Sequence, residues 1–298
     1  MNDWLAESVR FLLDVQQADG GWAYFSRGES AVEPTATAVA ALAGHGGDPA
    51  AIQRGLAFIL GLQAENGSVR PQPSQALESA LGVHAMIVVA ALHNDRKPAE
   101  RMADHILAYK PETAPKSSKI ADNPNLIGFT WLPGSYSWIE PTAYCLILLR
   151  RLGRADHPRV KEARRMVFDR RVPGGGWNYG NSIVLGKGLE PSEMPTALAL
   201  LALSDDRSSW QVNQAVKYLR GQASATRHEK SRAGDVRSAL SLAWISIALR
   251  ARGEDVVHPD RFGALLQASR RSSESPWHRA AALMAVAPVE KIPFVIGG

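Results

Sequence analysis

Hydrophobic and polar positions define two kinds of helix that alternate along the chain. In one kind, charged residues such as Arg54 and Lys161 lie opposite Leu and Val positions at helical spacing, so one face is in water. This kind is predicted at residues 4–17, 50–64, 99–109, 158–171, 211–223 and 260–270. The other kind, as in TATAVAALAG, is apolar nearly all round and is therefore buried on every side. It is predicted at residues 35–44, 76–92, 142–152, 196–204, 237–250 and 277–287. The alternation predicts two concentric rings, with the apolar helices inside.

A short motif recurs with the same pattern. LLDVQQADGGW ends at Trp22, and VFDRRVPGGGW ends at Trp177. A Glu-Pro-Thr segment follows each copy at the start of an apolar helix, and a third follows Trp138. The three segments are Glu33-Pro34-Thr35, Glu140-Pro141-Thr142 and Glu193-Met194-Pro195-Thr196. The period is roughly 50 residues, so six helical hairpins fill the 298-residue chain as one domain. The predicted units are about 1–48, 49–97, 98–156, 157–208, 209–257 and 258–298.

The glutamine before the Gly-rich turn carries a family resemblance. Gln16 before Gly20-Gly21-Trp22 resembles the QW repeat of squalene–hopene cyclases, oxidosqualene cyclases and protein prenyltransferase β subunits. Gln63 before Gly67-Ser68-Val69 is a similar copy with Val in place of Trp. The resemblance implies an all-α fold, an (α/α)6 toroid of six hairpins. It also implies an apolar, isoprenoid-like small molecule in the central cavity, and no cofactor.

The catalytic signatures of that family do not match this sequence. Class II terpene cyclases protonate an alkene with a DxDD-Thr-Ala motif, where this chain has Ala31-Val32-Glu33-Pro34-Thr35-Ala36. Prenyltransferases bind zinc through an Asp-x-Cys pair, but here Ala143 stands two positions before Cys145 in place of the Asp. Asp205-Asp206 lacks the third acid of a DDxxD magnesium motif. No metal site is expected. The open functions are a terpenoid cyclase or transferase with a non-standard acid, a non-catalytic lipid-binding or protein-interaction scaffold, and a carbohydrate-active toroid, which the apolar inner helices disfavour.

The Glu of the Glu-Pro-Thr segments has a structural and a functional interpretation. In the structural one, the helix dipole stabilises a carboxylate at the helix N-terminus by about 0.3–1 kcal/mol, or the carboxylate bonds backbone N–H groups of the neighbouring unit. In the functional one, a carboxyl in a dry aromatic site stays protonated and gives a proton to an alkene, because burial raises its pKa. Glu193, with Glu190 nearby, is the first candidate acid; Glu140 is the second and Glu33 the third.

The loops before the inner helices hold most of the large aromatic residues. Trp22 and Trp177 follow glycines and are predicted to wedge between adjacent units. The other rings are candidates for the wall of a central cavity: Tyr24, Trp131, Tyr136, Trp138 and Tyr179. His84 lies inside an apolar helix, either as a core histidine or as a proton donor in the cavity. In a dry site such aromatic rings stabilise a cation by up to about 2 kcal/mol each.

Composition and charge indicate the cellular location and limit the classes of binding partner. A single cysteine, an acidic start and no apolar run long enough for a bilayer favour a soluble cytoplasmic protein. The net charge of +5 is concentrated at residues 150–171, which hold nine Lys or Arg and three acids. This segment is either a solvated outer helix or a peripheral contact with anionic membrane lipids, and without interleaved aromatics it does not indicate nucleic acid. The loops 110–128 and 224–234 are candidate lids.

Overall fold

The structure, a computed structural model, describes residues 3–113, 115, 121–224, 239–268 and 274–297. The outer helices in this part of the chain are α1 (Asp3–Asp14), α3 (Pro49–Gly61), α5 (Lys97–Ala108), α7 (Pro158–Asp169), α9 (Trp210–Ser224) and α11 (Asp260–Ala268). The inner helices are α2 (Val32–Gly44), α4 (Ala80–Leu92), α6 (Ile139–Arg151), α8 (Glu193–Ala202), α10 (Ala239–Arg250) and α12 (Pro276–Val286). Most of the candidate lid 224–234 and part of the candidate lid 110–128 lie outside the described residues.

The inner helices form a closed ring. α2 packs against α4, and the contacts continue through α6, α8, α10 and α12 until α12 packs back against α2. Each inner helix is buried along nearly its whole length. Each outer helix after α1 packs against the inner helix that precedes it, and α1 packs against α12. The all-α (α/α)6 toroid with its apolar helices inside is confirmed.

The inner helices begin side by side at one end of the ring. The first backbone N–H of three successive inner helices donates to the loop that precedes the next one, with N···O distances of 2.9–3.0 Å. The pairs are Val32–Pro71, Ala80–Trp131 and Ile139–Tyr179. We call this end the rim: the loops that precede the inner helices, together with the first turn of each inner helix. At the opposite end the helices finish, and the Arg150 guanidinium donates to the carbonyl of Ala202 at 3.0 Å.

Two local features of the rim differ from the sequence prediction. α4 begins at Ala80 and not at residue 76, because Ser79 caps it: the Ser79 hydroxyl accepts from the N–H of Leu81 at 3.3 Å. Two short antiparallel hairpins, which the helical pattern did not predict, precede α6 and α8. Their strands are β1 (Phe129–Thr130), β2 (Ser137–Trp138), β3 (Ile183–Val184) and β4 (Lys187–Gly188).

Three buried threonines join the rim loops to the inner helices. Each Oγ1 accepts from the backbone N–H of a rim aromatic at 2.8–3.0 Å and donates to the carbonyl of the same residue at 2.9–3.3 Å. The pairs are Thr35–Trp22, Thr142–Phe129 and Thr196–Trp177. The threonine of the Glu-Pro-Thr segment therefore holds the loop to the helix. The sequence analysis had considered a similar clamping role for the glutamate of the same segment.

Trp22 and Trp177 anchor their loops. The predicted wedging between adjacent units is seen for Trp22, whose ring lies against Gly55 of α3, and stays a prediction for Trp177. Both side chains are fully buried. Each indole N–H donates to a carbonyl in the last turns of the preceding outer helix, Trp22 to Leu12 at 2.8 Å and Trp177 to Val167 at 2.6 Å. The tryptophan of the motif thus holds its loop against the outer ring.

Gln16 ties the same loop to the next outer helix. Its Nε2 donates to the carbonyls of Gly20 and Ala51, both at 2.9 Å. Gly20 has a φ of +87°, and a Cβ there would lie 2.7 Å from the carbonyl oxygen of Arg54, so the turn requires glycine. Gln63 makes the equivalent pair of bonds one repeat later. The glutamine and glycine of the motif are therefore structural.

Thr196→Val is expected to lower the free energy of unfolding by ~1–3 kcal/mol, because the N–H of Trp177 is then buried without its acceptor. Thr196→Ser keeps the hydroxyl and is expected to cost considerably less. Guanidinium unfolding followed by tryptophan fluorescence measures both variants. Equal losses would assign the stabilisation to packing of the threonine methyl group.

Candidate functional site

Glu33 is a buried carboxyl at the start of an inner helix on the rim. It is the second residue of α2, and it is only 7% exposed. The Tyr24 hydroxyl donates to its Oε2 at 2.7 Å. Burial raises the pKa of Glu33 to about 7; the bond from Tyr24 lowers this pKa, and the negative charge of Glu140 raises it. Desolvation outweighs the tyrosine bond, so the protonated form of Glu33 is favoured relative to that of an exposed glutamate.

Glu140 is the second carboxyl of the same site. It is the second residue of α6 and is half-buried, and burial raises its pKa to about 7. α2 and α6 flank α4 in the ring, so the two carboxyls approach each other across the start of α4. Each of the two glutamates lies two residues before a clamping threonine. In α4 the position of that threonine is occupied by Gly82, where an added Cβ would lie 2.7 Å from Val69 Cβ. The start of α4 therefore has neither the clamping threonine nor the glutamate of its two neighbours.

Tyr144 lies below the two carboxyls, further into the ring. It is 2% exposed, and its pKa is raised well above the ordinary value, first by burial and then by the charges of Glu33 and Glu140. Its ring packs edge-on against His84 at 5.2 Å. Tyr144 therefore connects the carboxyls to the centre of the ring.

His84 lies at that centre as a neutral side chain. Burial lowers the pKa of His84 to about 3, and its Nε2 lies 3.4 Å from the Thr37 hydroxyl. Its Nδ1 has no hydrogen-bond partner among the described residues. Because the imidazolium is disfavoured at this position, the structure favours a core histidine over a proton donor.

The other predicted wall residues divide into two groups. Trp131 is half-buried and packs against Tyr144 at 6.3 Å, while Tyr24 packs edge-on against Trp277 at 5.2 Å. Trp277 was missed by the sequence analysis, although its position at the start of an inner helix was a signal for it. The remaining three are largely exposed: Tyr136 at 53%, Trp138 at 40% and Tyr179 at 53%.

Tyr136 and Trp138 line a separate groove outside the ring. This groove has a volume of about 280 Å³, and Asp122 and Arg170 also line it. Tyr179 lies nearer the carboxyls, since the charge of Glu140 contributes to raising its pKa after burial. Of the three exposed rings, Tyr179 is therefore the one linked to the acid site.

Glu193, the first candidate from the sequence, lies outside the register of the other two. It is the first residue of α8, and its carboxylate accepts from the hydroxyl of Ser241. Two residues before the clamping Thr196 stands Met194, so the extra residue of this segment displaces the glutamate by one position. Glu190 is exposed. Glu33 and Glu140 are therefore preferred as the acid pair, because burial raises the pKa of both. The role predicted for Glu193 stays a prediction.

The basic segment 150–171 is largely compensated within the chain. Its Arg151 donates to the carbonyl of Val295 at 2.9 Å. Its ion pairs include Arg154–Glu100, Lys161–Asp156, Arg159–Glu162, Arg164–Asp205 and Arg170–Asp122. Contact of this segment with an anionic membrane stays a prediction, as does a cytoplasmic location. None of the helices in the described residues has the length and apolarity needed to cross a bilayer.

Glu33→Gln is expected to raise the free energy of unfolding at pH 8 by ~3 kcal/mol and to change it little at pH 4. The folded-state pKa of Glu33 is raised from 4.5 to about 7. The stability that the protonated carboxyl contributes is therefore present at low pH and is lost as the pH rises between those values. Urea unfolding at both pH values measures the difference. Glu65→Gln, at an exposed carboxyl, is the matched control and is expected to change stability equally at both.

The fold is shared with known proteins of more than one activity. No family model matches the chain. A drimenyl diphosphate synthase of Streptantibioticus cattleyicolor is 39% identical over 70 residues, which are 24% of this chain and only 13% of that enzyme. The type II terpene cyclase MstE of Scytonema, in a variant complexed with its substrate geranylgeranyl dihydroxybenzoate, superimposes with a TM-score of 0.60 at 15% identity over 98% of both chains. An α-1,6-mannanase of Salegentibacter superimposes with a TM-score of 0.61 at 11% identity, over 99% of this chain and 100% of that one. The chain therefore has a terpenoid cyclase-like α/α toroid fold.

Proposed function

We propose that the protein binds an isoprenoid or other apolar chain at the rim of the ring and protonates one of its double bonds. The observation that carries the proposal is the pair of rim carboxyls, Glu33 and Glu140, which lie near Tyr24 and Tyr144 and whose pKa values burial raises to about 7. A carboxyl that is partly protonated at neutral pH is suited to general acid catalysis. The negative charge of Glu140 adds to the effect of burial, because it further disfavours ionisation of Glu33.

The proposed step moves one proton from Glu33 to an alkene carbon. A C–H bond forms, the π bond breaks, and the positive charge is left on the neighbouring carbon. A second double bond of the same chain attacks that carbon, closing a ring, and loss of a proton ends the reaction. The Glu140 carboxylate accepts that proton, and exchange between the two carboxyls and water restores Glu33. No other reactant is needed, so the step is an isomerisation.

The surroundings of Glu33 support this role. The hydroxyl of Tyr24 donates to Oε2, which leaves Oε1 to carry the transferable proton. The rings of Tyr144 and Trp131 pack against each other and supply π faces, and such faces stabilise a nearby cation by about 0.5–2 kcal/mol each. Glu33 also stands at the place where the DxDD motif of class II cyclases falls. The cyclase MstE, whose fold this chain shares, is named with an isoprenoid substrate.

A non-catalytic lipid-binding or protein-interaction scaffold is the second candidate. Ala31 and Pro34 stand where that motif has carboxylates, and the fold also serves a mannanase. In that case the buried glutamates bind no reacting group and only hold the rim together. A lipid-binding scaffold has the same apolar partner as the proposed enzyme, so conversion of the bound compound separates these two. A protein-interaction scaffold binds no prenyl compound.

Incubation in deuterium oxide tests the proposal. Geraniol, farnesol, geranylgeraniol and their diphosphates are offered to the protein, and the extracted products are analysed by mass spectrometry. A cyclic product that has gained one carbon-bound deuterium per initial protonation, however many rings then close, is expected. Binding of a prenyl compound without conversion supports the scaffold and overturns the proposed chemistry. If none of these compounds is bound, the isoprenoid assignment itself is wrong.

A further inference from the structure

The segment that follows α12 enters the ring from the end opposite the rim. It begins with a 3₁₀ turn, Val289–Lys291, and its Ile292 and Phe294 side chains are almost completely buried. The guanidinium of Arg151, the last residue of α6, donates to the carbonyls of Pro293 and Val295. Because α6 ends at Arg151, these bonds fix the segment at the finishing end of the inner helices.

Phe294 reaches the centre of the ring. Its ring lies 4.7 Å from that of His84 and 5.0 Å from that of Trp244, which it meets edge-on. His84 in turn packs against Tyr144 on the rim side. We call these four side chains, Tyr144, His84, Trp244 and Phe294, the aromatic layer. It crosses the ring at mid-height, and Phe294 closes it from the far side.

The distance from the carboxyls to this layer is short. Tyr144 follows Glu140 by four residues on the same helix, which is about 6 Å along the helix axis at 1.5 Å per residue. That depth is comparable with one isoprene unit. An apolar chain that enters from the rim therefore meets the aromatic layer soon after it passes the acids.

We propose that Phe294 is the floor of the apolar site and sets the length of the chain that the site accepts. This inference rests on the proposed function, because it concerns the ligand of the same site. The floor is contributed by a segment outside the repeats, so its depth can change without altering the ring. Phe294→Ala removes six ring carbons, close to the five carbons of one isoprene unit, and leaves the inner helices unchanged.

Binding of geraniol, farnesol and geranylgeraniol to the full chain tests the floor, with isothermal titration calorimetry as the measurement. For Phe294→Ala, the best-bound alcohol is expected to be one isoprene unit longer than for the wild type, and the affinity for the longer alcohol is expected to rise about tenfold. Phe262→Ala is the matched control. Phe262 is also fully buried, but it lies on α11 against Trp4 at 6.2 Å. This variant loses similar packing and is expected to keep the wild-type preference.

The outcomes separate the two proposals. If the wild type binds prenols and Phe294→Ala keeps the same preference, the floor assignment is wrong while the proposed function stands. If the wild type binds no prenol, the proposed function fails and the floor fails with it. Should Phe294→Ala not fold, Phe294→Leu removes less volume and must shift the preference in the same direction; an unchanged preference in that variant also overturns the inference.

Discussion

Glu33→Gln is expected to lower the rate of product formation by at least ~100-fold while the protein remains folded, because general acid catalysis contributes about 10²–10⁴-fold and an amide has no transferable proton. The amide oxygen still accepts the bond from Tyr24, so the local structure is preserved. Single-turnover assays measure this rate. They use the prenyl substrate that the deuterium oxide experiment identifies. The loss is expected in the chemical step, with substrate affinity nearly unchanged.

Two variants define the limits of this effect. Glu140→Gln is expected to slow the reaction less and to shift its pH dependence to lower pH, because removing the second charge lowers the pKa of Glu33. Glu65→Gln changes an exposed carboxyl and is expected to leave the rate unchanged. Full activity in Glu33→Gln would remove this residue from the mechanism and make Glu193, the first candidate of the sequence analysis, the next acid to test.

Trp22→Ala is expected to lower the free energy of unfolding by ~3–5 kcal/mol, because a fully buried indole is removed and its hydrogen bond to Leu12 is lost. Trp177→Ala is expected to cost a similar amount, since its ring is equally buried and bonds Val167 in the same way. Urea unfolding followed by circular dichroism at the helix band measures both variants.

Trp210→Ala provides the contrast for the two buried tryptophans. Trp210 is 58% exposed, and its ring lies beneath the Arg171 guanidinium at 4.3 Å. An exposed cation–π pair of this kind contributes about 0.5–1 kcal/mol, so a small loss is expected. If Trp22→Ala were as mild as Trp210→Ala, the loops would not depend on the motif tryptophans, and the wedge interpretation would fail.

The ring could be predicted from the sequence because burial leaves a direct mark on composition. A helix such as α2 has neighbours on every side, so nearly all of its residues are apolar, whereas α7 carries its arginines on an outer face. The two tryptophan anchors were predictable for a related reason: glycines in a tight turn beside an aromatic residue leave few alternatives. Element type and order follow from these local patterns.

The acid site could not be predicted in the same way, since it depends on register between distant segments. Glu33 and Glu140 stand at the same position, two residues before a clamping threonine, on the helices that flank α4, and the charge of Glu140 acts on Glu33. A single additional residue, Met194, takes Glu193 out of that register. Phe294 lies outside the repeats, so no periodic pattern indicated that it reaches the centre of the ring. Exposure of Tyr136 and Trp138 depends on a short hairpin that carries no helical signal.

Direct titration of Glu33 tests the central claim, that the rim holds a carboxyl still partly protonated at neutral pH. Carbon-13 NMR of protein labelled at the glutamate side-chain carboxyl follows each resonance with pH, and the resonance missing in Glu33→Gln identifies the residue. A pKa for Glu33 of about 7 that falls in Glu140→Gln is expected. Titration of Glu33 near its ordinary value of 4.5 would contradict the claim, because the carboxyl would then be ionised at neutral pH.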